Sequence, residues 1–167
     1  MGLSQALLPE FDHEINTTRR VLERVPEDRL DWQPHPKSMS LGRLASHLGN
    51  LLHWGQVIVE QDSFDVAPEG KPLRMEPLKT RQEILDLFDQ NAALARQAIA
   101  GAADEQWHQP WSLLQQGSNI FTQPKIGVLR GMVLNHLIHH RGQLTVYLRL
   151  NDVPVPAVYG PSADEGI

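Results

Sequence analysis

Three histidines carry the chemistry this sequence could perform. His136 and His140 stand four residues apart in the run Val133-Leu134-Asn135-His136-Leu137-Ile138-His139-His140-Arg141-Gly142-Gln143. On a helix, residues at that spacing share a face, so both imidazoles can point at one ion. His47 lies in a second amphipathic stretch, Leu44-Ala45-Ser46-His47-Leu48-Gly49-Asn50-Leu51, and offers a third nitrogen from a facing helix. Neutral imidazole ligates zinc, nickel, copper and iron. Three protein ligands with a position left open make a catalytic rather than a structural metal site. The reacting group in such a site is a water or a thiolate on the metal, so no side chain is assigned as a catalytic residue. Asn50, one turn beyond His47, and Gln143, one turn beyond His140, are candidates to accept from the far ring nitrogens and fix the rings.

A plainer account competes with the metal. Eight histidines in 167 residues make one i,i+4 pair an ordinary coincidence, and histidines hydrogen-bonded in a core need no ion. Two features favour the ion. His136 and His140 take apolar positions on the inward face of their helix, where an unpartnered imidazole carries a desolvation cost. His47 is embedded in the inner face of a separate helix. Spacing alone does not choose between His136/His140 and His136/His139. The line Val133, His136, His140, Leu144 favours the first pair and leaves His139 on the flank.

The other histidines are weaker candidates. His13, between Asp12 and Glu14, is an additional ligand candidate from the first helix, although a solvated face accounts for it better. His53 beside Trp54 and His108 beside Trp107 read as packing and surface features, and His35, between two prolines, as a loop residue. Leu137 after His136 rules out the HExxH protease motif, and there is neither a GxSxG elbow nor a Gly-rich phosphate loop.

Four helices are expected to position these residues. The first spans about Leu8 to Arg24, with a stripe at Leu7, Phe11, Ile15, Thr18, Leu22 and Val25, and should begin close to Pro9. The second begins after an N-cap at Ser40 and buries Leu41, Leu44, Leu48, Leu51 and Leu52, continuing to Val57 and Ile58. Asp62 to Pro77 reads as a polar connection. Thr80-Arg81-Gln82-Glu83 is a capping box for the third helix, whose stripe is Ile84, Leu87, Phe88, Leu94, Ala98 and Ile99, with Gly101 as its stop. Trp107 to Leu114 and Asn119 to Thr122 suggest a small hairpin. The fourth helix runs from about Lys125 to Leu150, with Leu129, Val133, Leu144, Tyr147 and Leu148 on its buried side. The expectation is one all-α domain over residues 1–167, a four-helix bundle with a small β-hairpin between helices 3 and 4.

Composition narrows the function classes. A net charge of −5 argues against a sequence-independent grip on nucleic acid. The absence of cysteine excludes disulfides, thiolate metal sites and a cysteine nucleophile. There is no apolar run long enough for a transmembrane helix and no signal-like N-terminus, so the expected setting is cytoplasmic, away from membranes.

Three segments together resemble a known family: Ser40-Leu41-Gly42-Arg43-Leu44-Ala45-Ser46-His47-Leu48, Asn135-His136-Leu137-Ile138-His139-His140-Arg141-Gly142-Gln143-Leu144, and the tail Val155-Pro156-Ala157-Val158-Tyr159-Gly160-Pro161-Ser162-Ala163-Asp164-Glu165. Across nearly its whole length the chain resembles the DinB-like family, also described as DinB/YfiT-like metalloenzymes. The resemblance implies a four-helix bundle whose histidine triad holds a divalent metal, often nickel or zinc, at one end. The triad positions correspond to His47, His136 and His140, which resolves the choice against His139. It also implies a homodimer. Similar proteins include transferases and isomerases that use low-molecular-weight thiols, with the metal activating the sulfur. The expected function is therefore a metal-dependent enzyme acting on a small molecule, either a thiol S-transferase or a metal-activated hydrolase. The competing expectation is a non-catalytic, stress-related metal-binding or scaffold bundle, marked by a closed ion site with a fourth side chain.

Overall fold

Two helix starts are written locally in the chain. Ser40 caps α2 (Leu41–Leu51), its Oγ accepting from the Arg43 amide at 3.3 Å. Thr80 and Glu83 form a reciprocal capping box on α4 (Arg81–Gly101). In the computed structural model, which describes residues 2–73 and 75–166, these helices are joined by α1 (Leu3–Leu22), α3 (His53–Glu60), α5 (Asp104–Trp107), α6 (Lys125–Val128) and α7 (His136–Leu150). A π-helical segment, Leu129–Asn135, runs between α6 and α7. Strands β1 (Ser63–Asp65), β2 (Pro110–Gln115) and β3 (Ser118–Pro124) complete a mostly helical fold with a small three-stranded sheet. No helix among the described residues is long and apolar enough to cross a membrane.

Helix α4 packs on α1, α2 and α3, while α7 packs on α1 and α2. Phe11, Val21, Leu44, Leu48, Phe88, Ile99, Leu137 and Leu144 meet in the core these faces enclose. Truncating one such leucine to alanine costs about 2–5 kcal/mol, because the space left behind only partly collapses. At Gly55 a Cβ would lie 2.7 Å from that of Ala95, so only glycine permits this close approach of α3 to α4.

The fold departs from four plain helices in ways that have local causes. Helix α1 starts at Leu3, which puts Pro9 inside it rather than in its first turn. Proline there removes one backbone hydrogen bond, but tertiary contacts hold the segment in front of it. Asp104 accepts from the Leu3 amide at 2.7 Å, and Ser4 Oγ donates to the Ala102 carbonyl while accepting from the buried Trp107 indole. The expected second helix divides at Leu52 into α2 and α3. On α4, Leu94 is at the surface, and Asn91, Ala92 and Ala95 take the inward positions. Asn91 offsets its burial by donating to the Gly49 carbonyl at 2.9 Å.

The sheet corrects the all-α expectation. The hairpin between the last two long helices is present, but Trp107 belongs to α5, and β2 begins only at Pro110. Gln116 and Gly117 both have positive φ, +53° and +73°, as a two-residue turn of the type I′ kind requires. The connection after α3 supplies a further strand, β1, which pairs parallel with β2. Asp65 explains why it stays there: its carboxylate accepts from the amides of Ala67 at 2.8 Å, Gln116 at 3.1 Å and Gly117 at 2.8 Å.

Candidate metal centre

Helices α2 and α7 pack against each other with His47 on one and His136 and His140 on the other. One potential ligand atom from each of the three rings lies within 4.8 Å of the other two. His47 Nε2 and His136 Nε2 are 3.4 Å apart. Two nitrogens bound to one tetrahedral ion at about 2.0–2.1 Å would stand about 3.3 Å apart, so this spacing fits a shared cation. The His47 and His140 ring centroids are 4.6 Å apart, as are those of His136 and His140. His139 is exposed on the flank, its ring 4.9 Å from that of His140, and is not part of the group.

The His140 ring is oriented from behind. Its Nδ1 lies 2.7 Å from Gln143 Oε1; donating its proton there leaves the Nε2 lone pair free. The Met132 carbonyl of the π-helical segment favours the protonated form of His136, against the effect of burial. The π segment ends immediately before His136, and such segments often accompany functional sites.

All three rings are held neutral. Burial pushes His47 down to about 4, with further repulsion from His140, His136 and Arg43. Burial also lowers His136, reinforced by His140 and opposed by the Met132 hydrogen bond. His140 is lowered by burial, with the Gln143 hydrogen bond opposing. Near neutral pH the group therefore presents unprotonated nitrogens, the state a cation requires. The donor set fits a divalent transition metal.

A cavity of about 750 Å³ opens beside His47, its wall including Met39, Arg43, Asn50, His53, Trp54 and Phe64. Asn50 lines this cavity next to His47. Ser46 accepts from the Leu78 amide at 2.9 Å, pinning the end of the loop that closes one side.

A family model described as the DinB superfamily matches residues 10–144. The chain belongs to the DinB superfamily. It is also 29% identical over 160 residues to the uncharacterized protein YrdA of Bacillus subtilis strain 168, covering 95% of this chain and 89% of that protein. Solved structures of DinB-like proteins share the fold. One from Bacillus cereus ATCC 10987 has a TM-score of 0.70 at 22% identity, covering 93% of this chain and 97% of that one. Another, YjoA from Bacillus subtilis, has a TM-score of 0.68 at 17% identity, covering 97% and 99%.

In this DinB superfamily chain, the remaining histidine candidates separate by position. His13 is exposed and stacks near Tyr159, with ring centroids 6.2 Å apart, outside the triad. His53, read from the sequence as a packing feature, lines the cavity instead. Two features had no clear sequence signal. Arg43 reaches the cavity from one turn before His47. Next to His140, the buried Arg141 pairs with the buried Glu14 at 2.6 Å and donates to Thr18 and to the Tyr159 hydroxyl at 3.2 and 2.6 Å. Tyr159 in turn donates to Glu14 at 2.8 Å, so one ionic cluster joins α1, α7 and the C-terminal tail.

Proposed function

We propose that this DinB superfamily protein is a divalent-metal-dependent enzyme whose four-helix scaffold presents His47, His136 and His140 to a nickel or zinc ion. One observation carries the proposal: three neutral imidazoles converge on one point beside a cavity large enough for a small-molecule substrate. A divalent ion held there supplies Lewis acidity and lowers the pKa of a water or thiol that reaches it. Gln143 holds the His140 ring in the ligating tautomer, and Met39, Trp54 and Phe64 give the approach an apolar wall. Because similar proteins include transferases that use low-molecular-weight thiols, the proposed reaction is transfer of such a thiol to an electrophile, and the apolar wall is compatible with that substrate pair.

A structural ion would instead be closed off by a fourth ligand. Among the described residues no further His, Cys, Asp or Glu joins the three, which supports an open position. The proposal includes a cytoplasmic homodimer, whose mass sedimentation measures. Elemental analysis of untagged protein, followed by a screen of small thiols against electrophiles, tests the function. The expected result is stoichiometric nickel or zinc and thiol consumption that stops on chelation. Thiol consumption unaffected by chelation would reject the metal's role in the reaction.

A further inference from the structure

Arg43, His47, Asn50 and Trp54 fall one helical turn apart along α2 and the start of α3, and all four line the same cavity. One wall therefore carries a cation, a triad ring, an amide and an indole in succession. Trp54 meets Phe64 of β1 edge to face, with ring centroids 4.8 Å apart at 72°, giving the far end an aromatic surface.

Arg19, Arg96 and Arg130 pair with Asp89, Asp12 and Glu10, and Arg141 pairs with Glu14. Among the described residues no carboxylate pairs with Arg43. The chain has 20 acidic residues, yet none of the described cavity-lining residues is Asp or Glu. A guanidinium with no carboxylate partner among the described residues, in a cavity whose described lining holds no Asp or Glu, concentrates positive potential where an anion would enter.

We propose that this cavity binds a small aromatic carboxylic acid, and that Arg43 recognises its carboxylate. The planar guanidinium matches one carboxylate in two parallel hydrogen bonds. The ligand's apolar body lies against Trp54 and Phe64, and Asn50 hydrogen-bonds to it between the two ends. The assignment deepens the metal-enzyme proposal and rests on it only for the direction in which the ligand's reactive atom points, toward His47.

Calorimetric titration of phenylacetate, phenylacetamide and phenethylamine tests this in wild type and Arg43→Gln, each as purified and again after chelation. Wild type should prefer the acid over the amide by about tenfold or more in both states. Arg43→Gln should abolish that preference while retaining the wild-type metal content. Equal binding of acid and amide, preference for the amine, or no binding at millimolar concentration would overturn the assignment. A preference that survives Arg43→Gln but vanishes on chelation would place the carboxylate on the ion, overturning the role of Arg43 and leaving the metal proposal intact. An Arg43-dependent preference in wild type that holds no metal as purified and takes up no added divalent ion would uphold the anion site and sink the metal proposal alone.

Discussion

Gln143 holds the His140 ring through a 2.7 Å hydrogen bond to Nδ1, and this contact selects which nitrogen of His140 faces His47 and His136. Gln143 itself is exposed, so its side chain contributes little to the core. Its value lies in the tautomer and the ring orientation.

Replacing Gln143 with alanine is therefore expected to weaken metal affinity by about 10–100-fold with little change in unfolding stability. Competition against a chelator measures the first and urea unfolding the second. Unchanged affinity would mean that His140 is oriented by its packing alone.

The Arg141–Glu14 pair is a stability determinant. Both side chains are buried, at 2% and 7% exposure, and removing one partner leaves a charge stranded in a low-dielectric setting. Arg141→Met should destabilise the protein by about 3–5 kcal/mol, and adding Glu14→Leu should recover part of that loss. Denaturant unfolding of both variants checks this; a double variant less stable than the single one would contradict it.

How much of this was legible in the sequence depended on how local the cause was. Ser40, Thr80 and Glu83 act on amides three or four residues away, so their caps were readable directly. His47 and His136 were readable from the apolar faces of two helices, while the choice of His140 over His139 came from the family resemblance. Strand β1 was not, since Ser63-Phe64-Asp65 is short and is held by Asp65 reaching a turn distant in sequence. The start of α1 before Pro9 depends on Asp104 and Trp107, and the π turn before His136 has no periodic signature. The cavity brings Met39, His53 and Phe64 together from separate segments, so His53 and Arg43 acquire their significance only in three dimensions.

The depressed histidines set a pH dependence with a definite sign. His47 is held near 4 against an ordinary 6.5, and His136 and His140 are lowered as well. In the unfolded chain these rings take up protons as pH falls through 6.5, while in the folded metal-free protein they do so only at lower pH. The contribution of His47 is thus complete above 6.5 and is lost progressively toward pH 4, and those of His136 and His140 are lost in the same direction. Chelated wild type should lose stability between pH 7 and 5 more steeply than His47→Gln in urea titrations. Parallel slopes would contradict the burial of His47.

Asp65 gives the hairpin a separate acid sensitivity. The amides of Gly117, Ala67 and Gln116 hold its carboxyl below the ordinary 3.8. Its contribution is present above that value and lost as pH falls through the lower, folded one. Hydrogen exchange at the Gln116 and Gly117 amides should accelerate in Asp65→Asn at neutral pH. Exchange unchanged from wild type would show that the turn holds itself.

The most direct measurement is the metal content of untagged wild type beside His47→Ala, His136→Ala and His140→Ala, determined by mass spectrometry of the elements. Wild type should retain about one nickel or zinc per chain, and each substitution should lower that sharply, because three nitrogens act on one ion. Wild-type metal retention in all three variants, or a wild type that takes up no divalent ion, would contradict the account.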